Sequence, residues 1–201
     1  VESDDTCDRW DRNGMNFLFA WKCKFPKFKI TLFTIPERTS EEFLYLISPH
    51  RDWIELAVHG WNHESNFECY GWDYDKTVAL LTRTERIRYK EVDDTRELDD
   101  PFYKKIFKAP GWTITPGYNG YPADEKALIS KDHQAVYKAL IDMGYVIVDR
   151  HYNAPGRPEN AKVVCIDDQD IIVHMHTWPM ETGDKMGRNG YQQVVEEHGE
   201  P

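Results

Sequence analysis

Two histidines separated by three residues are the first candidate for chemistry in this chain. They lie in the segment His59-Gly60-Trp61-Asn62-His63. On a helical turn, side chains four residues apart share one face, so both imidazoles would reach one metal ion. The spacing also arises by chance in a chain with eight histidines. A third ligand is therefore needed before the pair indicates a metal site.

The adjacent carboxylates of Asp4 and Asp5 are candidates for that ligand. Like charges side by side repel, which favours a nearby cation and allows one carboxylate to bind metal while the other acts as a base. A solvated acidic segment is the plainer explanation of the same pair, and both explanations stay open.

A second pair of histidines, His174 and His176, alternates along a predicted strand, so both side chains share a face. His174 is typical of a hydrogen-bonded core histidine. His176 lies closer to the strand end and is a candidate general acid, because the pKa of imidazole is near neutrality.

Strands and helices alternate in the pattern that would position these residues. Parallel βα units of this kind predict an open α/β sheet or a (β/α) barrel, with the chemistry at the carboxyl ends of the strands. Apolar and β-branched runs predict strands at residues 28–35, 54–58, 145–148, 162–166 and 170–176.

Capping residues and helical spacing predict the helices between these strands. Thr39 or Ser40 caps a helix that runs to about Ile47, and Asp73 or Asp75 opens a longer one that extends to Ile87. A third helix follows Ser130, with Val136, Leu140 and Met143 at its apolar positions, and stops at Gly144.

Composition limits the function classes. The chain has 201 residues with 25 Lys and Arg against 35 Asp and Glu, a net charge of −10. A surface this acidic, without a basic cluster, excludes nucleic acid as an expected partner. The sequence also predicts a soluble protein with no membrane span and no signal peptide in this chain, and leaves its compartment open. Four scattered cysteines allow two disulfides or a reduced chain, and oligomeric state is not predicted.

Five short motifs follow one another between Asp4 and Trp178. They are Ser3-Asp4-Asp5, His59–His63, Phe107–Trp112, Asp149 in the run VIVDRHY, and the strand Ile171–His176. In type and order they resemble the motifs of the NodB-type polysaccharide deacetylases, carbohydrate esterase family 4.

The resemblance implies a divalent metal held by Asp5, His59 and His63. One carboxylate and two imidazoles leave coordination positions open, as catalytic sites require, and they suit Zn²⁺, with Co²⁺ or Ni²⁺ as substitutes. The implied fold is a (β/α) barrel, distorted or incomplete, with seven strands. It would occupy residues 1–201 as a single catalytic domain with a surface tail from about residue 183.

The activity implied by the resemblance is the removal of N- or O-acetyl groups from a carbohydrate polymer or oligomer, by attack of a metal-activated water. Asp4 is the implied base and His176 the implied acid. The backbone N–H of Gly111 would donate to the oxyanion, Lys108 stands where an Arg usually orients the base, and Asp149 represents the fourth motif.

Aromatic residues beside these segments are candidates to stack on the acetylated glycan, and packing in the core is the alternative for each. They are Trp61, Trp112, Tyr118, Tyr121 and Trp178.

The sequence departs from the family pattern at several positions, including Thr177, which follows His176 where Asp is frequent. Gly60 stands where Ser or Thr is usual, Lys108 lacks the planar fork of an Arg, and no Asp-Trp pair is evident near Tyr152. Two other functions are therefore considered. One is hydrolysis of a small cyclic amide or imide on the same scaffold, and the other is a non-catalytic carbohydrate-binding relative.

Overall fold

The computed structural model describes the chain in several segments, which are residues 2–6, 12–90, 97–112, 114, 134–149, 158–165 and 174–176. The chain divides into two compact units, the first comprising residues 1–56 and 170–201 and the second residues 57–169. Strands alternate with helices in sequence order, and parallel strand pairs occur in each unit. The fold is therefore α/β, as the sequence predicts.

The secondary structure elements are numbered along the chain. The strands are β1 (Glu2–Thr6), β2 (Ile30–Thr34), β3 (Ile54–Val58), β4 (Arg88–Lys90), β5 (Glu97–Pro101), β6 (Tyr103–Lys108), β7 (Val146–Asp149), β8 (Val163–Cys165) and β9 (His174–His176). The helices are α1 (Arg12–Lys24), α2 (Glu41–Ile47), α3 (Tyr74–Glu85) and α4 (Ala135–Asp142).

In the first unit, β1 lies between β2 and β9 and pairs in parallel with both. Ser3 is the register partner of Leu32 on β2, and Asp4 is the register partner of His176 on β9. In β2, every residue except Thr31 is buried. Burial on both faces is typical of a parallel strand in the interior of an α/β fold.

Aromatic packing anchors α1 to the first unit. Met15, Leu18 and Trp21 are buried and recur every three residues, so they form one side of the helix. The ring centroid of Trp21 lies 5.8 Å from that of Phe28. Phe28 in turn lies 6.1 Å from Trp53, centroid to centroid. These tilted and edge-on contacts bury large apolar rings, which contribute much of the stability of a small core.

Helix α2 begins where the sequence predicts. The hydroxyl oxygen of Ser40 accepts a hydrogen bond from the backbone N–H of Phe43 at 3.2 Å. Ser40 has an extended backbone, as a capping residue requires. Glu41 and Glu42 occupy the first turn, where their negative charges interact favourably with the positive end of the helix dipole.

In the second unit, β7 lies between β6 and β8, and the strands are parallel. Lys108 is the register partner of Val148, and Asp149 is the register partner of Cys165. The carboxyl ends of β6 and β7 therefore lie at the same edge of the sheet, where α/β proteins place their sites. Strands β4 and β5 form a separate antiparallel pair.

Helices α3 and α4 pack against each other in the second unit. The carboxylate of Asp73 caps α3, and the hydroxyl of Tyr74 donates to the carboxylate of Asp142 on α4 at 2.9 Å. Gly144 has a φ of +77°, a conformation that ends α4 and turns the chain into β7. The buried face of α3 consists of Thr77, Leu81 and Thr84.

The sequence-based elements agree with the structure where their signals are local. Strand β3 has the predicted bounds, β2 lies within the predicted run, and the predicted cap residues Ser40 and Asp73 begin α2 and α3. Helix α1 and strand β6 were not predicted. Ser130 and the predicted tail from residue 183 lie outside the described residues. Within the part of the chain that the structure describes, no helix is long and apolar enough to cross a membrane.

Candidate metal and catalytic site

The two histidines of the H-x-x-x-H motif lie close together in the second unit. We call residues 59–63, which directly follow β3, the histidine loop. The ring centroids of His59 and His63 are 5.3 Å apart, and the ring planes are inclined by 46°. The predicted helical turn is wrong, because none of these residues is helical. Instead, Gly60 and His63 adopt left-handed conformations with φ of +66° and +50°, and these bends bring the rings together.

A carboxylate that the sequence analysis did not single out holds this loop. Glu68 Oε1 accepts hydrogen bonds from the backbone N–H groups of Trp61 at 2.9 Å and of Asn62 at 3.0 Å. Glu68 Oε2 accepts from the N–H of His63 at 3.0 Å. Three successive N–H groups directed at one carboxylate form an anion-binding nest. Bonds of this charge-assisted kind are stronger than bonds between neutral groups.

The glycine inside the loop is explained by the same carboxylate. A Cβ atom at Gly60 would overlap Glu68 Oε2, and it would lie 2.7 Å from Cγ of Pro110. The Ser or Thr that the resemblance expects at this position has no room beside Glu68. Glycine at residue 60, where the resemblance expects Ser or Thr, was therefore the one feature of the sequence that could have indicated a role for Glu68.

The backbone at the end of β6 holds the side chain of His59 in place. The imidazole is 2% exposed, and its Nδ1 lies 2.9 Å from the backbone carbonyl oxygen of Lys108. A carbonyl oxygen can only accept, so Nδ1 carries the hydrogen. In the neutral ring the lone pair is then on Nε2. Metal-binding histidines commonly use this arrangement, in which the second nitrogen donates to a carbonyl or carboxylate.

The end of β6 supplies two more of the predicted residues. The side chain of Lys108 is fully buried. Gly111 has a φ of +61°, and a Cβ atom there would lie 2.7 Å from the backbone oxygen of Asn66. The backbone of residues 107–112 thus approaches the segment that follows the histidine loop so closely that only glycine fits. Asp149 ends β7 at the same sheet edge as Lys108.

The first unit brings together the predicted base and acid. Asp4 and His176 come from opposite ends of the chain, yet they are register partners on the adjacent strands β1 and β9. Asp4 is 4% exposed. A buried carboxylate is unusual unless it has partners or a function, and Asp4 does interact with other groups. The plain alternative of a solvated acidic pair is therefore wrong for Asp4.

Only some of the aromatic residues that are candidates to stack on the glycan are among the described residues. Trp61 is 8% exposed, and the guanidinium of Arg83 lies 4.7 Å from its ring centroid. This contact is a cation–π interaction inside the second unit. Tyr118, Tyr121, Trp178 and the side chain of Trp112 lie outside the described residues, as do the side chains of Asp5, Asp149 and His176.

Among the described residues, no group of three or more His, Cys, Asp or Glu side chains is arranged to hold a metal ion. His59 and His63 are two of the three predicted ligands, and the third, Asp5, has no described side chain. Comparison of the chain with protein-family models, with curated proteins and with solved structures finds no match.

Proposed function

We propose that this chain is a metal-dependent hydrolase that removes acetyl groups from a carbohydrate polymer or oligomer. The observation that carries the proposal is the pair of imidazoles in the histidine loop. Their rings are 5.3 Å apart, and one of them is fixed by a backbone carbonyl. The order of the five motifs along the chain supports the choice of reaction. The incomplete seven-stranded (β/α) barrel implied by the resemblance is part of the same proposal.

The residues present suit a divalent cation. Two histidines with a carbonyl behind one ring are typical donors for Zn²⁺, and Co²⁺ or Ni²⁺ can replace it. The sequence motifs assign the third ligand to Asp5. When bound, such an ion supplies Lewis acidity, which lowers the pKa of water and polarises a carbonyl group.

The chain's own residues would move the protons. Water attacks the carbonyl carbon of the acetyl group, and the bond from that carbon to the sugar nitrogen or oxygen breaks. Asp4 takes the proton from the attacking water, and His176 gives a proton to the departing amine or alkoxide. The backbone N–H of Gly111 donates to the oxyanion that develops on the acetyl oxygen. The products are acetate and the free sugar group.

The roles proposed for Lys108 and Asp149 rest on the resemblance, and both residues end strands at the same sheet edge. Lys108 places a buried amine-bearing side chain at the end of β6, where the resemblance assigns an Arg that orients the base. Asp149, at the end of the neighbouring strand β7, represents the fourth motif of the resemblance. Trp61, Trp112, Tyr118 and Trp178 are the proposed contacts for sugar rings.

Metal content tests the ligand assignment directly. The purified protein is reconstituted with Zn²⁺, desalted and analysed for bound metal, in parallel with His59→Ala and His63→Ala. His50→Ala is the matched control, because His50 packs against Phe19 and Trp53 in the first unit. We expect stoichiometric metal in the wild type and the control and its loss in both loop variants. Full retention in the loop variants would refute the assignment.

Acetate release tests the reaction. N-acetylglucosamine oligomers and O-acetylated xylan are incubated with the Zn²⁺- or Co²⁺-loaded protein. We expect Asp4→Asn to lower kcat by roughly 10²–10⁴-fold while metal binding is retained, since it removes a general base. The exposed Asp52→Asn is the control for the loss of one carboxylate. The proposal fails if no acetylated glycan is hydrolysed in a metal-dependent way.

A small cyclic amide or imide is the second candidate substrate. The burial of Trp61 favours it, because a tryptophan covered by Arg83 offers little surface to a sugar ring. The same assay extended to cyclic imides decides between the two substrates. Glycan binding that is unchanged in Asp4→Asn and occurs without turnover would instead identify a non-catalytic carbohydrate-binding protein.

A further inference from the structure

Glu68 is the group in the second unit whose position calls for a function. It lies at the start of a 3₁₀ turn, Glu68–Gly71, five residues after the histidine loop. Its own N–H donates to the backbone oxygen of Ser65, so the turn holds the residue in place. Both oxygens of its carboxylate are engaged by the loop. The side chain is only partly buried, so a carboxylate at this position is not needed to fill a core.

The hydrogen bonds of Glu68 constrain the part of the loop that separates the two imidazoles. Trp61, Asn62 and His63 are successive, and the N–H groups of all three converge on one side chain. With their N–H groups so directed, these residues do not form the helical turn that the spacing predicts. The φ of +50° at His63, unusual for a residue with a Cβ atom, is maintained in this arrangement.

The opposite side of the carboxylate is limited by Gly60 and Pro110. A Cβ atom at Gly60 would lie 2.7 Å from Cγ and 2.9 Å from Cδ of Pro110, as well as overlapping Glu68 Oε2. The proline ring is rigid, so the space occupied by the carboxylate is available only because residue 60 is glycine. Glycine at residue 60 and glutamate at residue 68 therefore act as a pair.

From this geometry we propose that Glu68 is a positioning residue. It presets the histidine loop so that His59 and His63 bind one divalent cation. This inference rests on the proposed function. It predicts that the loop N–H bonds to Glu68 determine metal affinity although Glu68 itself is not a ligand, as groups that hydrogen-bond to the ligands and orient them do in other metal sites.

The test uses Co²⁺ as probe, because its visible absorption reports ligand geometry. Co²⁺ affinity is measured by titration calorimetry for the wild type, Glu68→Gln, Glu68→Ala and Glu64→Gln. Glu64→Gln is the matched control: it removes the same charge from an exposed side chain one residue after the loop. Amide hydrogen exchange at residues 61–63 is followed in the same proteins.

We expect Glu68→Ala to weaken Co²⁺ binding by roughly 10–100-fold and to change the absorption bands, since the loss of a group that orients metal ligands has an effect of this size. Glu68→Gln keeps an acceptor for two of the N–H groups but presents an amide N–H₂ to the third, so its affinity lies between those of the wild type and Glu68→Ala. Glu64→Gln stays within about twofold of the wild type, as expected for a surface substitution. Exchange at residues 61–63 accelerates only in the Glu68 variants.

Equal Co²⁺ affinity and equal absorption in Glu68→Gln and Glu64→Gln would overturn the inference and leave the proposed function intact. If Glu68→Ala does not fold, the comparison of the two Gln variants decides. Wild-type protein that binds no Co²⁺ would overturn the proposed function and the metal role of Glu68 together. The two failures are distinguishable because only the second occurs in the unmodified chain.

Discussion

Replacement of Gly60 by alanine adds one methyl group at the most confined position of the histidine loop. The substitution has two physical effects. The backbone at residue 60 has a φ of +66°, which L-residues with a Cβ atom rarely adopt. The new methyl group would also overlap Glu68 Oε2 and lie 2.7 Å from Cγ of Pro110.

The loss of stability follows from these two effects. A left-handed conformation costs an L-residue about 1–2 kcal/mol, and the smaller entropy of the unfolded chain offsets about 0.4–1 kcal/mol of it. Overpacking against groups that cannot move freely adds about 1–3 kcal/mol. We therefore expect Gly60→Ala to lower the free energy of unfolding by roughly 2–4 kcal/mol.

Gly144→Ala separates the two effects. Gly144 has a similar φ of +77°, but a Cβ atom there would meet nothing within 4 Å. Only the backbone effect remains, and we expect a loss of about 1 kcal/mol. In a protein of this size, the difference between the variants corresponds to a gap in Tm of roughly 4–8 °C.

Urea denaturation followed by tryptophan fluorescence, together with calorimetric melting, measures the free energy of unfolding and Tm for both variants. Equal losses in Gly60→Ala and Gly144→Ala would refute the reasoning, because they would show that Glu68 and Pro110 yield to the methyl group without cost. The same result would remove the structural basis for pairing glycine at residue 60 with glutamate at residue 68.

Three further predictions concern a helix cap, a thiol and a surface ion pair. Asp73→Ala removes the carboxylate that caps α3 and should lower the free energy of unfolding by about 1 kcal/mol in urea denaturation. Burial, with a smaller contribution from a nearby negative charge, raises the pKa of the Cys69 thiol, so iodoacetamide should label it roughly 100-fold more slowly than the exposed Cys23. The hydrogen bond from Lys138 lowers the pKa of Asp142. The ionised Asp142 therefore stabilises the folded protein at pH values above the unfolded-state pKa of an aspartate. This stabilisation is lost as the pH falls through the lower folded-state pKa of Asp142. Asp142→Asn should destabilise the protein at neutral pH and lose this effect in acid.

Each of these predictions has a control. Asp75→Ala lies in the first turn of α3 without capping it, so it should cost less than Asp73→Ala, about 0.5 kcal/mol or below. A larger loss in Asp75→Ala would contradict the capping role. In denaturant, Cys69 and Cys23 should be labelled at similar rates, and similar rates in the folded protein would contradict burial. For Asp142→Asn, a loss of stability relative to the wild type that is the same at acid pH as at neutral pH would contradict the ion pair.

Several elements of the fold were predictable because their signals lie within a few residues of each other. The apolar run of β3 is bounded by polar residues and turns, and its observed limits are the predicted ones. Ser40 and Asp73 each accept a hydrogen bond from a backbone N–H three residues ahead. Such contacts are local in the chain, so the residue types alone indicate them.

Other elements depend on contacts that the sequence does not reveal. Helix α1 mixes charged, polar and aromatic residues, and its buried side is recognisable only from the packing of Trp21 on Phe28. Strand β6 contains three lysines, and the last of them, Lys108, is buried, which is unusual for this residue in the interior of a fold. Neither helix α1 nor strand β6 shows a strong hydrophobic periodicity in its sequence.

For the candidate site, the sequence alone determined which residue types are present and in what order: the carboxylate pair, the two histidines four residues apart, and the strand that ends in His176. Tertiary structure decided how they are held. It replaced the predicted helical turn by a loop that Glu68 and Gly60 shape, fixed the tautomer of His59 through the carbonyl of Lys108, and made Asp4 the register partner of His176. These relations join residues distant in the chain or depend on backbone N–H groups that every residue carries. No pattern of side chains can therefore specify them before the chain folds.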